Sequence, residues 1–434
     1  MQQGYVRTTA GDLERERFSP KANFIEGMGI MTFILVTLWG IAYSFGVMEE
    51  SNGVKKFSEI LLTLGALYML FVAPFLHGET ASAWGLGTPR GLWKILKEAA
   101  PLKRAVLALI LTGLFVGLNT MNIYHWEEVV KFFNLRETGM TAWKQGFPGI
   151  LGMVAFGSIL SLLIITFGIR YDNFLSAFRT AMIVALPLFA LILLGAVAQR
   201  GSAAFSDFKM GAFLLGIFGY VFWGFVQQLL FSSYLGTRIR KGFGPSTAAS
   251  NVIALKNRFG FTASAATIGS FATAILLLIL LRDGEGNALP GWSVFAFALF
   301  FLPLFAVYAW FFALDRKRLL VATLSGSCFG LIHIDSYGLV GVTFLLGIAL
   351  TYVFMVDANR NLIALGFIHG LLGSSFGTFF SDGKSGALEV DYGVGPWNVD
   401  NPTWGVLIFP VLCILFYGAM TCWYTLLHKE TTPA

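Results

Sequence analysis

Charged residues are scarce in this sequence: Asp, Glu, Lys and Arg make up 12% of the 434 residues, whereas 56% are hydrophobic. A soluble globular chain carries about 25% charged residues, so the composition excludes an ordinary soluble protein. The formal net charge is +6, but the basic residues occur in short clusters between apolar runs, as in membrane proteins. We therefore predict an integral membrane protein whose partner is the lipid bilayer and not nucleic acid.

Cysteine is equally scarce, and Cys328, Cys413 and Cys422 all lie inside apolar runs. Their odd number and the lack of a CxxC spacing indicate neither a disulfide framework nor a zinc knuckle. Residues 1–24 are polar and lack the basic start and short apolar core of a cleavable signal peptide. We expect them to form a cytoplasmic tail and the first apolar segment to act as the targeting signal.

Long apolar runs are abundant. A membrane-spanning helix needs roughly 20 apolar residues, and twelve segments reach or approach that length. They are 25–47, 57–76, 105–121, 148–169, 180–198, 211–235, 263–281, 292–313, 319–334, 338–356, 361–380 and 404–427. The predicted fold is thus all-α, a polytopic transmembrane bundle of about 12 helices.

The distribution of basic residues supports this count. With a cytoplasmic N-terminus, the segments predicted to lie inside hold 21 of the 30 Lys and Arg residues, which leaves nine outside. This asymmetry follows the positive-inside rule and predicts two cytoplasmic termini in a bacterial inner (plasma) membrane. Two longer external loops, 122–147 and 382–403, are rich in aromatic residues that are typical of interface anchors, or alternatively of a ligand-binding cap.

Polar residues inside the apolar runs are the candidates for a site. Counted from Arg238, Arg360 and Arg318, respectively, the depths of Gln227, His369 and His333 are roughly 16, 14 and 22 Å at about 1.5 Å per helical residue. In a hydrocarbon core of about 30 Å these side chains can meet near the middle. Serines follow in the same segments: Ser232, Ser233, Ser374 and Ser375.

Helix packing offers a simpler interpretation of the same residues. A single intramembrane histidine often bonds a neighbouring helix, and Gln and Ser commonly join helices in membranes. The neighbouring small residues form close-approach motifs that require no chemistry. They are Gly326-x-x-x-Gly330, Gly366-x-x-x-Gly370 and Gly373-x-x-x-Gly377.

Three stretches in order nevertheless resemble one family. They are QQLLFSSYLGTRI, CFGLIHID and FLLGIALTYVFMVDANRNLIALGFIHGLLGS. Together they resemble the CPBP (or Abi) family of intramembrane CAAX-processing and bacteriocin-processing proteases, with its motifs E-E-x-x-x-R, F-x-x-x-H and H-x-x-x-N/D. The second motif is intact as Phe329-x-x-x-His333, and the third keeps His369.

The resemblance covers residues 211–381 and implies a CPBP-like core in the C-terminal half, interrupted by an inserted helix pair at 263–313. The implied division is a tail at 1–24, five helices in 25–210, the core, an external loop at 382–403, and a last helix with a short tail at 404–434. Within the first motif, Phe231 stands where family members have Phe.

The chain departs from the family where the chemistry resides: Gln227 and Gln228 replace the two glutamates, Ser232 the arginine, and Gly373 the final Asn or Asp. The family's glutamates and histidines are thought to activate water, with or without a metal. A carboxylate can accept a proton near neutral pH, whereas a glutamine amide cannot. We therefore expect Gln227, Gln228, His333 and His369 to be vestigial catalytic residues.

No cofactor or metal is expected, since Gln is a poor zinc ligand, and any metal would have to use His333 and His369. Asp335, the nearest acid, is expected to be solvated at a helix end. The predicted function is a non-catalytic scaffold or binding subunit for a membrane or lipidated protein partner. The alternatives are an active or experimentally inactivated CAAX-type endopeptidase, a transporter, or a haem or chlorin protein. Ser232 and Gly373 favour natural loss over experimental inactivation.

Overall fold

The computed structural model describes residues 5–7, 13–15, 17–124, 126, 147–243, 270, 273, 303–304, 307, 316–333, 337–379 and 407–427. Nearly all of them are helical; two short strands, β1 (Tyr5–Arg7) and β2 (Leu13–Arg15), pair antiparallel near the N-terminus. The predicted loop 382–403 and almost all of the loop 122–147 and the inserted pair 263–313 lie outside the described residues.

Eleven helices organise the described part of the chain. They are α1 (Pro20–Val47), α2 (Asn52–His77), α3 (Pro89–Glu98), α4 (Pro101–Tyr124), α5 (Phe147–Leu163, continued by a π-helix Ile164–Gly168), α6 (Phe174–Arg200), α7 (Met210–Gly242), α8 (Arg316–Leu331), α9 (Tyr337–Phe354), α10 (Leu362–Phe379) and α11 (Ile408–Leu427). Short helical turns also occur at Ala203–Ser206 and Asp357–Asn359. The predicted all-α class is confirmed for the described residues apart from the small β-ribbon.

Eight of these helices are long and apolar enough to cross a membrane: α1, α2, α4, α5, α6, α7, α10 and α11. They coincide with the first six and the last two of the twelve predicted segments. The segment predicted at 319–334 forms a shorter apolar helix, Arg318–Leu331. The one predicted at 338–356 forms α9. The chain therefore has the helices of an integral membrane protein, while the total of twelve stays a prediction.

The helix ends gather at two opposite faces. At one face, the ring of Phe24 in α1 stacks on Tyr424 in α11 with centroids 4.0 Å apart, and the Tyr424 hydroxyl donates to the carbonyl of Gly242. At the other face, Arg200 donates to the carbonyl of Phe379 over 2.9 Å. The start of α1 and the end of α11 thus lie at the same face; that this face is cytoplasmic stays a prediction.

Two helix boundaries at the first face differ from those expected, and buried charge accounts for one of them. α7 continues to Gly242, past its predicted end at 235, because Arg238 and Lys241 both pair with the buried Glu79. α1 begins at Pro20, before its predicted start at 25, and the Ser19 hydroxyl accepts from the Ala22 amide over 3.2 Å at its N-terminus.

The arginines used to estimate depth are likewise buried, at 0% exposure for Arg238, 1% for Arg360 and 3% for Arg318. The depths counted from them start inside the protein and not at a solvated loop. Arg318 donates to the carbonyl of Tyr352 over 2.8 Å, which joins the start of α8 to the end of α9.

Glycines bring the helices of the C-terminal half close together. A Cβ on Gly326 would lie 2.5 Å from the backbone nitrogen of Ile348, and one on Gly330 would lie 2.7 Å from the Cβ of Phe344. Real Cβ atoms do not make such contacts, so α8 and α9 can pack this closely only with glycine at these positions. The Gly326-x-x-x-Gly330 motif therefore serves close helix packing, as predicted, whether or not the neighbouring residues have a chemical role.

Candidate functional site

One wall of the site is the contact between α7 and α10. A Cβ on Gly366 would lie 2.6 Å from the carbonyl oxygen of Val221. The same substitution at Gly224 would place a Cβ 2.5 Å from the Cβ of His369. Glycine at both positions therefore lets the two backbones approach and sets His369 directly against α7.

The opposite wall is the end of α8, which brings His333 to Gln227. His333 was expected well inside a helix; instead it lies just beyond the last helical residue, Leu331, where its amide bonds the carbonyl of Gly330 over 3.1 Å. Its Nδ1 lies 2.8 Å from the carbonyl of Phe329, which only accepts, so Nδ1 carries the proton. Its Nε2 then accepts from Gln227 Nε2 at the long distance of 3.5 Å.

Phe329 links the two histidines. Its ring centroid lies 4.8 Å from that of His333 and 6.0 Å from that of His369, edge to face in both cases. Phe231 packs against the same ring at 5.3 Å. Gln227 on α7 thus contacts His333, and Phe329 packs against both His333 and His369 on α10.

Gln228 belongs to a hydrogen-bonded chain on the buried side of α7. The Ser232 hydroxyl donates to Gln228 Oε1 over 2.5 Å and lies 3.2 Å from the Thr351 hydroxyl on α9. Ser325 on α8 lies 3.4 Å from Thr351 and donates to the carbonyl of Phe231 over 2.8 Å. Ser232 thus holds one end of the Gln228 amide.

Polar atoms without partners point to what the site can bind. Among the described residues, Gln227 Oε1, Gln228 Nε2 and His369 Nδ1 are buried and make no hydrogen bond. Leaving such a group unpaired costs about 1–3 kcal/mol, so nearly all buried polar groups in proteins are paired. The three atoms are an amide oxygen, which accepts hydrogen bonds, an amide nitrogen, which donates them, and an imidazole nitrogen.

The four helices around the site carry no acidic side chain. The sequences of α7, α8, α9 and α10 contain neither Asp nor Glu. Asp335, the candidate acid from the sequence, lies outside the described residues. Within the described part of the chain, no group of three or more His, Cys, Asp or Glu residues is placed to hold a metal ion. His333 and His369 alone supply fewer than the three protein ligands typical of catalytic zinc.

The ring of Tyr220 occupies the space beside Gly373. A Cβ on Gly373 would lie between 2.9 and 3.2 Å from three atoms of the Tyr220 ring. The ring of Tyr220 also faces His369, with centroids 6.5 Å apart. Sequence reasoning missed Tyr220, Thr351 and Ser325, because none of them belongs to a motif and only the packing of α7 against α9 and α10 brings them to the site.

The fold and site define an integral membrane helical protein with a buried, neutral, polar site between α7, α8 and α10. No family model, no curated protein and no solved structure matches the chain. The likeness to the CPBP family therefore rests on the three motifs and their order alone.

Proposed function

We propose that this protein is a non-catalytic relative of the CPBP intramembrane proteases, which binds a membrane or lipidated protein partner in its polar site. The observation that carries the proposal is the set of unpaired polar atoms on Gln227, Gln228 and His369. A site that served packing alone would pair these groups within the protein, as most buried polar groups are.

The lack of a base supports a binding role over hydrolysis. Attack of water on an amide needs a proton acceptor within about 3 Å of that water, and such help contributes roughly 10²–10⁴-fold to the rate. Gln227 and Gln228 donate and accept hydrogen bonds but take up no proton. His333 has its Nε2 directed at the Gln227 amide and its Nδ1 at a carbonyl, with no carboxylate on the four surrounding helices to stabilise an imidazolium.

The space beside Gly373 supports the same conclusion. The Tyr220 ring occupies the volume that the family's Asn or Asp side chain would need. A side chain at position 373 would therefore require the Tyr220 ring to move, which favours a scaffold adapted to another task over a single inactivating substitution.

A cross-linking experiment tests the proposal directly. A photoreactive benzoylphenylalanine replaces Tyr220 at the site or, as a matched control, Leu109, which is 74% exposed on the lipid face of α4. We expect a farnesylated peptide to cross-link at position 220 and not at 109, with less product in a His369→Leu background. Mass spectrometry of the same peptide incubated with the unmodified protein should find it intact.

Two results would contradict the proposal. Equal cross-linking at positions 109 and 220 would mean that the peptide partitions into lipid without using the site. Cleavage of the peptide by the unmodified protein, abolished by His333→Ala, would identify an active endopeptidase.

A further inference from the structure

The helix α3 differs from its neighbours because it does not cross the membrane. It has ten residues and lies between the spanning helices α2, which ends at His77, and α4, which begins at Pro101. The Thr88 hydroxyl accepts from the Gly91 amide over 3.0 Å and fixes its start. Since both neighbouring helices span, α3 is held at the boundary between the hydrocarbon core and water.

The outer face of α3 combines cations with an aromatic side chain. Arg90, Trp93, Lys94 and Lys97 follow the spacing i, i+3, i+4, i+7 and form one stripe, which we call the α3 stripe. All four side chains are exposed, Trp93 to 69%. The opposite face, with Leu92, Ile95 and Leu96, is half-buried against α4 and the end of α5.

The cationic side chains of the α3 stripe form no ion pair in the part of the chain that the structure describes. The side chains of Arg90, Lys94 and Lys97 make no hydrogen bond there, although Glu98 is exposed one turn beyond Lys94. At the same face of the protein, Arg238 pairs with Glu79 and Arg170 with Asp172. Buried cations such as Arg238 and Arg170 are thus paired with carboxylates, whereas the exposed side chains of the stripe are accessible to an external anion.

A pocket beside the stripe adds room for a polar headgroup. Its volume is about 220 Å³, and it opens between α3 and the segment that follows α5. Its charged lining residues are two cations and two acids: Lys94, Arg170, Glu98 and Asp172. Arg170 already pairs with Asp172, so Lys94 is the cation that the pocket offers to an anion. Lys94 therefore belongs both to the exposed stripe and to the wall of this pocket.

We propose that the α3 stripe and its pocket bind the headgroup of an anionic phospholipid from the adjoining leaflet. Basic residues clustered on an interfacial helix attract anionic lipid. Trp93 lies among them, and tryptophan is enriched at the level of the headgroups. An exposed indole beside three cations fits a lipid surface better than water. The proposal does not depend on the function proposed for the α7–α10 site.

Native mass spectrometry of the full chain in detergent tests the proposal. The protein is titrated with dioleoyl phosphatidylglycerol and, separately, with dioleoyl phosphatidylcholine. The test variant is Lys94→Gln/Lys97→Gln, and the matched control is Lys55→Gln/Lys56→Gln at the start of α2, the end far from α3. A Lys94→Arg/Lys97→Arg variant keeps the charge.

We expect the unmodified protein to prefer phosphatidylglycerol. Each lysine removed from the stripe should weaken that binding about five-fold, since one basic residue near an anionic surface contributes about 1 kcal/mol. Binding should be unchanged in the Lys55→Gln/Lys56→Gln control and retained in the arginine variant.

Three results would overturn the proposal. The first is an unchanged lipid preference in Lys94→Gln/Lys97→Gln. The second is an equal loss in the α2 control, which would indicate a general effect of net charge. The third is displacement of phosphatidylglycerol by polyglutamate at matched charge, which would identify the stripe as a surface for an acidic protein.

Discussion

Replacing Glu79 by glutamine should strongly destabilise the protein. The side chains of Glu79 and Arg238 are completely buried and that of Lys241 is 2% exposed. Both cations contact Glu79 Oε1, Lys241 at 2.7 Å, while Trp84 Nε1 donates to Oε2 over 2.6 Å. Glutamine removes the charge and one acceptor, which leaves two buried cations facing an amide. Removing one partner of a buried ion pair costs about 3–5 kcal/mol, and we expect Glu79→Gln to fall in that range.

The chain's own cysteines allow this loss to be measured. Cys328 is fully buried, whereas Cys422 is exposed. A fluorogenic thiol reagent should therefore react with Cys422 in the folded protein and reach Cys328 only on unfolding. Denaturant titrations in detergent then compare the free energies of unfolding of the variant and the unmodified protein.

An exposed glutamate provides the control for this measurement. Glu98→Gln makes the same chemical change on the surface of α3 and should shift stability by less than about 0.5 kcal/mol. A shift equally small for Glu79→Gln would refute the reasoning, because Arg238 and Lys241 would then have sufficient counter-charge elsewhere. Glu26 is a weak substitute, as it already bonds His77 over 2.7 Å and Tyr234 over 2.6 Å.

Two further predictions concern glycines at the site. Gly370→Val should destabilise the protein by at least about 1–3 kcal/mol, because its Cβ would lie 2.6 Å from the carbonyl of Ile217. Gly113→Val on α4 is the control and should be tolerated, since a Cβ there would have nothing within 4 Å. Equal thermal stability of the two variants would be inconsistent with close α7–α10 packing. Gly373→Asn should also lower the melting temperature, because the new side chain would collide with the Tyr220 ring. Adding Tyr220→Ala should then recover part of the loss. A double variant no more stable than Gly373→Asn alone would show that the crowding lies elsewhere.

Much of the helical framework was predictable because length and apolarity decide whether a segment can span. The predicted segment 361–380 matches α10 to within a residue at each end, and the segment 211–235 matches the start of α7 equally well. The end of α7 was not predicted, since Arg238 and Lys241 suggested a solvated loop. Their burial depends on Glu79, which lies far away in the sequence, and no local pattern reveals such a partner.

The order of the motifs suggested that Gln227, His333 and His369 lie near one another, but the depth estimate was unsound because Arg238, Arg318 and Arg360 are buried, and the geometry was not predictable. His333 follows the end of α8 and does not lie within a helix, so its approach to Gln227 depends on how α8 ends. Tyr220 and Thr351 became visible only through packing. A Tyr or Thr within an apolar segment has many structural uses, and spacing alone does not identify which residue faces a site.

Buried polar groups in this protein are of two kinds: charged side chains at the helix ends and neutral side chains at the candidate site. At the helix ends, charges such as Arg238 are buried with a carboxylate partner. The described helices α7, α8 and α10 contain no Asp or Glu, and an unpaired carboxylate between them would cost more than a neutral amide. Gln228 accepts the bond from Ser232, while its buried Nε2 has no hydrogen-bond partner among the described residues. Under the proposed function, Gln227 and Gln228 stand where the CPBP proteases have glutamates. The amides cannot take up a proton, so they do not support catalysis. As neutral groups that both donate and accept hydrogen bonds, they suit the binding of a neutral polar group within the membrane.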